Sequence, residues 1–206
     1  MGRLLTGSCP SASLPFFSVI TIDGEPLFGR VIEGYIEYDE CGLEIATGLM
    51  QATLCLLSPR MSLNPYCAKC FSSPSKMECE HFLSGRKELL STAYCVRIGP
   101  NHYLFTIENG MLVVYYETEE CQTVGDVEAV VPVKKSLRLP FREFAEDVIN
   151  MAENFWNYLL PNLEDINKFL VSSGCEDWVI TREELLKYKS LLATLKSIYL
   201  EKTNLG

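Results

Sequence analysis

Three cysteines and one histidine in a short, turn-rich segment have the residue types and the spacing of a metal site. They are Cys67, Cys70, Cys79 and His81, in the stretch NPYCAKCFSSPSKMECEHFL. Structural zinc prefers four thiolate or imidazole ligands in a tetrahedron, and a Cys-x-x-Cys turn places two sulfurs on one ion. The Cys-x-His pair completes this shell if the intervening residues double back, which their serines and proline favour. The segment therefore predicts a structural zinc site, because four protein ligands leave no position for a catalytic water.

Two other interpretations of these four residues stay open. A single Cys-x-x-Cys near another cysteine and a histidine also arises by chance in a chain with nine cysteines, and the side chains then share no ligand. Alternatively, Cys67 and Cys70 form a redox-sensitive pair. In favour of zinc, few large apolar residues lie between Phe71 and Phe82, so ordering this segment without a metal has a high entropic cost.

The same residues resemble a SWIM-type zinc finger, whose pattern is Cys-x-Cys, a variable gap and Cys-x-His. The resemblance covers residues 67–81, and this chain differs from the family in having two residues, Ala68 and Lys69, between the first cysteines. The resemblance implies a zinc module that contacts nucleic acid or protein, with Cys67, Cys70, Cys79 and His81 as ligands. The region is locally positive, since Arg60, Lys69, Lys76, Arg86 and Lys87 stand against Glu78, Glu80 and Glu88.

The chain as a whole is acidic, with a formal net charge of −9 at pH 7. Non-specific affinity for nucleic acid comes from lysine and arginine set against phosphates, so this charge argues against nucleic acid as the partner. It suits a protein partner with a basic surface.

Targeting signals and cysteine usage indicate the compartment. The first residues contain no apolar run of signal-peptide length, and no later stretch approaches the roughly 18 apolar residues of a membrane span. The nine cysteines are an odd number and are scattered along the chain. Without an export signal they favour a reducing compartment, so we expect a cytoplasmic protein without a membrane span.

The elements that must position the loop change character near Pro140. Before it, β-branched and aromatic runs alternate with turn residues, and HYLFTIENGMLVVYYE predicts a hairpin in which Asn109-Gly110 forms a type I′ turn. Segments 94–98 and 127–133 are predicted to supply neighbouring strands.

Two segments nearer the N-terminus are also predicted. FFSVITIDGEPLFGRVIEGYIEY predicts two or three strands, with Asp23-Gly24 as a turn. Residues 43–57 keep apolar side chains at helical spacing and predict a helix, although Gly48 weakens it.

After Pro140, helical periodicity dominates. Apolar residues three and four apart predict one helix, which Pro161 is expected to stop, and a shorter helix that ends at Gly174. Thr181 and Glu184 form a capping box ahead of a third helix. Three helices are therefore predicted to close the chain.

The predicted fold class is α+β, with an antiparallel sheet in the N-terminal two-thirds covered by a C-terminal group of about three helices. The length suits one domain over residues 1–206. Within it we expect a disordered terminus at 1–14, a strand-rich part at 15–139 with the zinc loop at 64–83, and a helical part at 140–206.

The sequence contains no nucleophile motif, phosphate-binding loop or cofactor fingerprint, which predicts a non-catalytic intracellular binding protein, stapled by structural zinc. By analogy alone, small bacterial immunity proteins, which neutralise a toxin through an acidic face, have a similar make-up. One alternative is a zinc-dependent nucleic-acid-binding module. The other is an enzyme whose site assembles from distant parts of the chain, with His102 or His81 beside a carboxylate.

Overall fold

The computed structural model describes residues 4–8, 18–22, 25–26, 30–32, 35–37, 42–58, 94–98, 101–124, 127–174, 176 and 179–203. Nine strands and three helices lie within these residues, and the strands form three antiparallel sheets. The strands before the first helix are short: β1 (Leu4–Ser8), β2 (Ser18–Ile22), β3 (Glu25–Pro26), β4 (Arg30–Ile32) and β5 (Tyr35–Glu37). β1, β2 and β3 form one sheet, and β4 and β5 form another.

The largest sheet has four strands, which pair in chain order: β6 (Tyr94–Ile98), β7 (Asn101–Glu108), β8 (Met111–Val124) and β9 (Val127–Pro140). Asn109 and Gly110 connect β7 to β8 with φ angles of 52° and 79°. A type I′ turn requires positive φ at both positions, so the predicted hairpin is confirmed, as are its two neighbouring strands.

The strands of this sheet differ in length. β7 pairs with β8 from Tyr103, opposite Tyr116, to the turn. Beyond Tyr116, β8 pairs with β9 alone, so residues 117–124 and 127–134 continue as a two-stranded ribbon. β9 is one of the two outer strands of this sheet, and it contains Pro132, whose missing N–H an edge strand can accommodate.

Three helices are described: α1 (Gly42–Leu57), α2 (Phe141–Ser172) and α3 (Arg182–Thr203). The helix predicted over 43–57 is confirmed as α1. The capping box ahead of α3 is also confirmed, because the Glu184 N–H donates to Thr181 Oγ1 over 3.2 Å and the Thr181 N–H donates to Glu184 Oε2 over 2.7 Å. Pro140 is the N-cap of α2, and the helix begins one residue later, at Phe141.

The predicted helix stop at Pro161 is wrong. Pro161 lies inside α2, so two segments predicted as separate helices form one helix of 32 residues. The physical reason is burial: Leu159 before the proline and Ile166 and Leu170 after it are buried in one cluster. Pro161 itself is exposed, and the apolar stripe that continues past it outweighs the lost backbone hydrogen bond.

One core joins the helices to the large sheet. Alternate residues of β7 and β8 enter it, which identifies a single face of the sheet. Its largest fully buried side chains include Leu49, Phe105, Leu112, Phe144 and Tyr188. An antiparallel sheet followed by C-terminal helices is an α+β arrangement, as predicted.

The N-terminal segment has more strands than the sequence predicts. β2 to β5 are four short strands where two or three are expected, and the predicted turn at Asp23-Gly24 lies outside the described residues. β1 falls within residues 1–14, where composition predicts disorder, and pairing with β2 gives its backbone the partners that a frayed terminus lacks. β1 lies against α2, and β4 lies against β8.

Two buried threonines differ in their hydrogen bonding. Thr53 in α1 and Thr106 in β7 are both fully buried, at 0% exposure. Thr53 Oγ1 donates to the Leu49 carbonyl over 2.7 Å. Thr106 Oγ1 has no hydrogen-bond partner within the described part of the chain. Burial of a hydroxyl without a hydrogen-bond partner removes its hydration and supplies no hydrogen bond in the folded state, which lowers the stability of the fold.

We expect Thr106→Val to raise the free energy of unfolding by about 1 kcal/mol, because the isosteric methyl removes this desolvation cost. The matched control is Thr53→Val, which should lower it by about 1 kcal/mol, because a satisfied hydroxyl is lost. Urea denaturation of both variants measures the two changes. Shifts of the same sign in both would contradict this account of Thr106.

Candidate protein-binding surface

The four residues predicted to bind zinc, Cys67, Cys70, Cys79 and His81, lie in the stretch 59–93, outside the described residues. Among the residues that are described, no three histidine, cysteine, aspartate or glutamate side chains are grouped as metal ligands. The zinc site therefore stays a prediction from spacing. The backbone of His102, the other histidine of interest, lies in β7 opposite Arg97 of β6.

A polar cluster on the large sheet links three strands. The Tyr115 hydroxyl donates to Glu108 Oε1 over 2.6 Å, and Arg138 lies 3.3 Å from Glu108 Oε2. Both carboxylate oxygens of Glu108 are therefore already engaged, by a phenol from β8 and a guanidinium from β9. This arrangement ties β7, β8 and β9 together and gives Glu108 a structural role.

Helices α2 and α3 form an antiparallel pair, here called the helical hairpin, whose outer seam is closed by polar contacts. The Tyr199 hydroxyl donates to Glu146 Oε1, and Lys196 forms an ion pair with Glu153. From the first contact to the second, the residue number rises in α2, from Glu146 to Glu153, and falls in α3, from Tyr199 to Lys196. The two helices are therefore antiparallel.

The next contacts along the hairpin are aromatic. Trp156 stacks on Tyr188 with ring centroids 6.1 Å apart and an interplanar angle of 9°. Lys189 Nζ lies over the Trp156 ring, 5.9 Å from its centroid, in a cation–π geometry. The buried Tyr188 hydroxyl donates to the Ala152 carbonyl over 2.9 Å. This part of the seam is also closed.

One helical turn further, the seam opens onto exposed leucines. Helix periodicity places Leu160 one turn after Trp156 in α2 and Leu186 about one turn before Lys189 in α3. Leu160 is 52% exposed and Leu186 is 58% exposed. Beyond the polar and aromatic contacts of the seam, these two side chains are therefore apolar and exposed to solvent.

A third apolar residue extends this surface along α2. Val171 is 52% exposed and lies eleven residues after Leu160, which is close to three full turns and therefore the same side of the helix. Exposed Pro161 adjoins Leu160, and a shallow groove runs from Leu160 to Val171 along this side. Leu186 lines a second groove on α3. We call Leu160, Pro161, Val171 and Leu186 the hairpin-end patch.

Asn167 of α2 holds the backbone of Ile180, which lies shortly before α3. Asn167 Nδ2 donates to the Ile180 carbonyl, and the Ile180 N–H donates to Asn167 Oδ1, both over 2.9 Å. One side chain thereby satisfies both backbone groups of a residue in the connection between α2 and α3. A separate buried cluster that includes Leu159, Leu170 and Leu185 packs below. The patch therefore sits on a fixed platform.

Exposed ion pairs flank the patch on both helices. Lys168 Nζ lies 2.9 Å from Glu164 and 3.9 Å from Asp165, and Lys187 Nζ lies 2.8 Å from Glu183. Hydrogen bonds from the lysines lower the pKa of the Glu164 and Glu183 carboxyls. All of these side chains face solvent, so the pairs contribute little to folding and can exchange partners easily.

Comparison with family models, with curated proteins and with solved structures finds no match to this chain in any of the three. In the part of the chain that the structure describes, none of the helices combines the length and apolarity that crossing a bilayer demands.

Helical periodicity alone does not predict these exposed leucines, but the sequence does contain a signal for them. Leucine doublets occur at Leu159-Leu160 and at Leu185-Leu186. Adjacent helical residues project about 100° apart, so a core that takes the first leucine of a doublet turns the second towards solvent. Two such doublets in one hairpin indicate an exposed apolar surface.

The seam predicts a pKa change that tests the hairpin geometry. The hydrogen bond from Tyr199, together with that from Arg142, holds the pKa of the Glu146 carboxyl below its ordinary value. We expect Tyr199→Phe to raise this pKa in an NMR titration of the side-chain carboxyl carbons. The pKa of Glu164, which depends on Lys168, should stay unchanged and serves as an internal control.

The sign of the accompanying stability change follows from linkage. A carboxyl with a lowered folded-state pKa stabilises the fold above its unfolded-state pKa, and this contribution is lost as pH falls through the folded-state pKa. Tyr199→Phe should therefore weaken the acid dependence of stability. An unchanged Glu146 pKa would contradict the contact between α2 and α3.

Proposed function

We propose that this protein is a non-catalytic binding protein that recognises a protein partner through the hairpin-end patch. The observation that carries the proposal is the exposure of Leu160, Val171 and Leu186, each more than half exposed, at one end of the hairpin. Clustered apolar side chains on a surface mark sites of interaction, whereas isolated ones are ordinary.

The contrast along the hairpin supports this assignment. Glu146, Glu153 and Trp156 are each covered by a partner from α3, so most of the seam offers no free apolar surface. The leucines at the end of the seam lie on a platform fixed by Asn167. A preorganised apolar surface loses little conformational entropy when a partner binds.

Charge and cysteine usage support the kind of partner and the compartment. The net charge of −9 favours a basic partner surface, both in steering the encounter and in stabilising the complex. The odd number and the scatter of the nine cysteines favour the reducing cytoplasm as the place of action.

Structural zinc is part of the proposal as a staple for the loop at 64–83. The spacing of Cys67, Cys70, Cys79 and His81 and the resemblance to SWIM-type zinc fingers support it. Four protein ligands would close the coordination shell, so the ion would order the loop without taking part in a reaction.

Affinity purification from the native host tests the binding surface. A partner recovered with the wild-type protein should be lost, or reduced about tenfold, with Leu186→Ser, as expected when a central apolar anchor of an interface is removed. Leu200→Ser is the matched control, because Leu200 is a leucine of the same helix with 55% exposure, outside the patch. Its partner recovery should equal that of the wild type.

Direct binding of the purified partner to both variants separates the interface from altered expression. Circular dichroism should show equal helicity, since both leucines are exposed and both substitutions are the same. Equal affinities for the two variants would place the interface elsewhere. Repeated purification without any partner would contradict a binding function.

Metal analysis of the purified, reduced protein tests the zinc staple. We expect about one equivalent of zinc per chain, released by Cys67→Ser or His81→Ala with a loss of stability, because metal binding contributes folding free energy. Cys55→Ala is the control, since Cys55 is a buried thiol of α1 outside the predicted ligand set.

A protein that folds equally well in chelator and contains no zinc would contradict the staple. Salt-dependent binding of DNA or RNA that Cys67→Ser abolishes would instead favour the nucleic-acid module that the SWIM resemblance implies.

A further inference from the structure

We draw no further inference here: the strongest candidate, the apolar surface of Leu160, Val171 and Leu186 on the helical hairpin, carries none, because its two grooves share no lining residue and nothing in the described part of the chain shows what covers it.

Discussion

A helix can direct only one stripe of side chains into a core, and this constraint shapes the surface that we assign to binding. In α2 the core takes Leu159, and in α3 it takes Leu185. Their neighbours Leu160 and Leu186 project about 100° away and remain exposed. The exposed leucines are therefore a geometric consequence of burying the residues beside them.

The remainder of the hairpin shows why these leucines are distinctive. Along the seam, Glu153 is paired with Lys196, and Trp156 is covered by Lys189. Such pairs add little stability when they face solvent, but they leave no apolar surface for another protein. The seam thus pairs or stacks the side chains between α2 and α3 as far as Trp156, and the Asn167 clamp fixes the backbone at Ile180.

The elements that the sequence predicts correctly are those fixed by local chemistry. Positive φ at Asn109 and Gly110 belongs to the turn itself, and the capping box of Thr181 and Glu184 is a contact across three residues. The predicted helix stop at Pro161 is wrong because the effect of this proline depends on tertiary burial: the buried residues beyond it hold the helix together. Local rules describe a proline well, but they do not include the core that overrides it.

The candidate sites divide in the same way. The zinc ligands are predicted from spacing alone. They lie outside the described residues, so the zinc site stays a prediction. The hairpin-end patch needs the pairing of two helices, which no single periodic stripe contains. A periodic apolar stripe contains the residues that a helix buries. The second leucine of each doublet lies outside that stripe, so periodicity alone does not identify it.

Site-specific photo-cross-linking in the native host tests the central claim most directly. A photoreactive amino acid is placed at Leu186 in one sample and at Leu200 in another, two positions of α3 with nearly equal exposure. The account predicts a discrete cross-linked protein from position 186 and none from position 200. Cross-links from position 200 alone, or none from position 186 under conditions where the complex is intact, would contradict it.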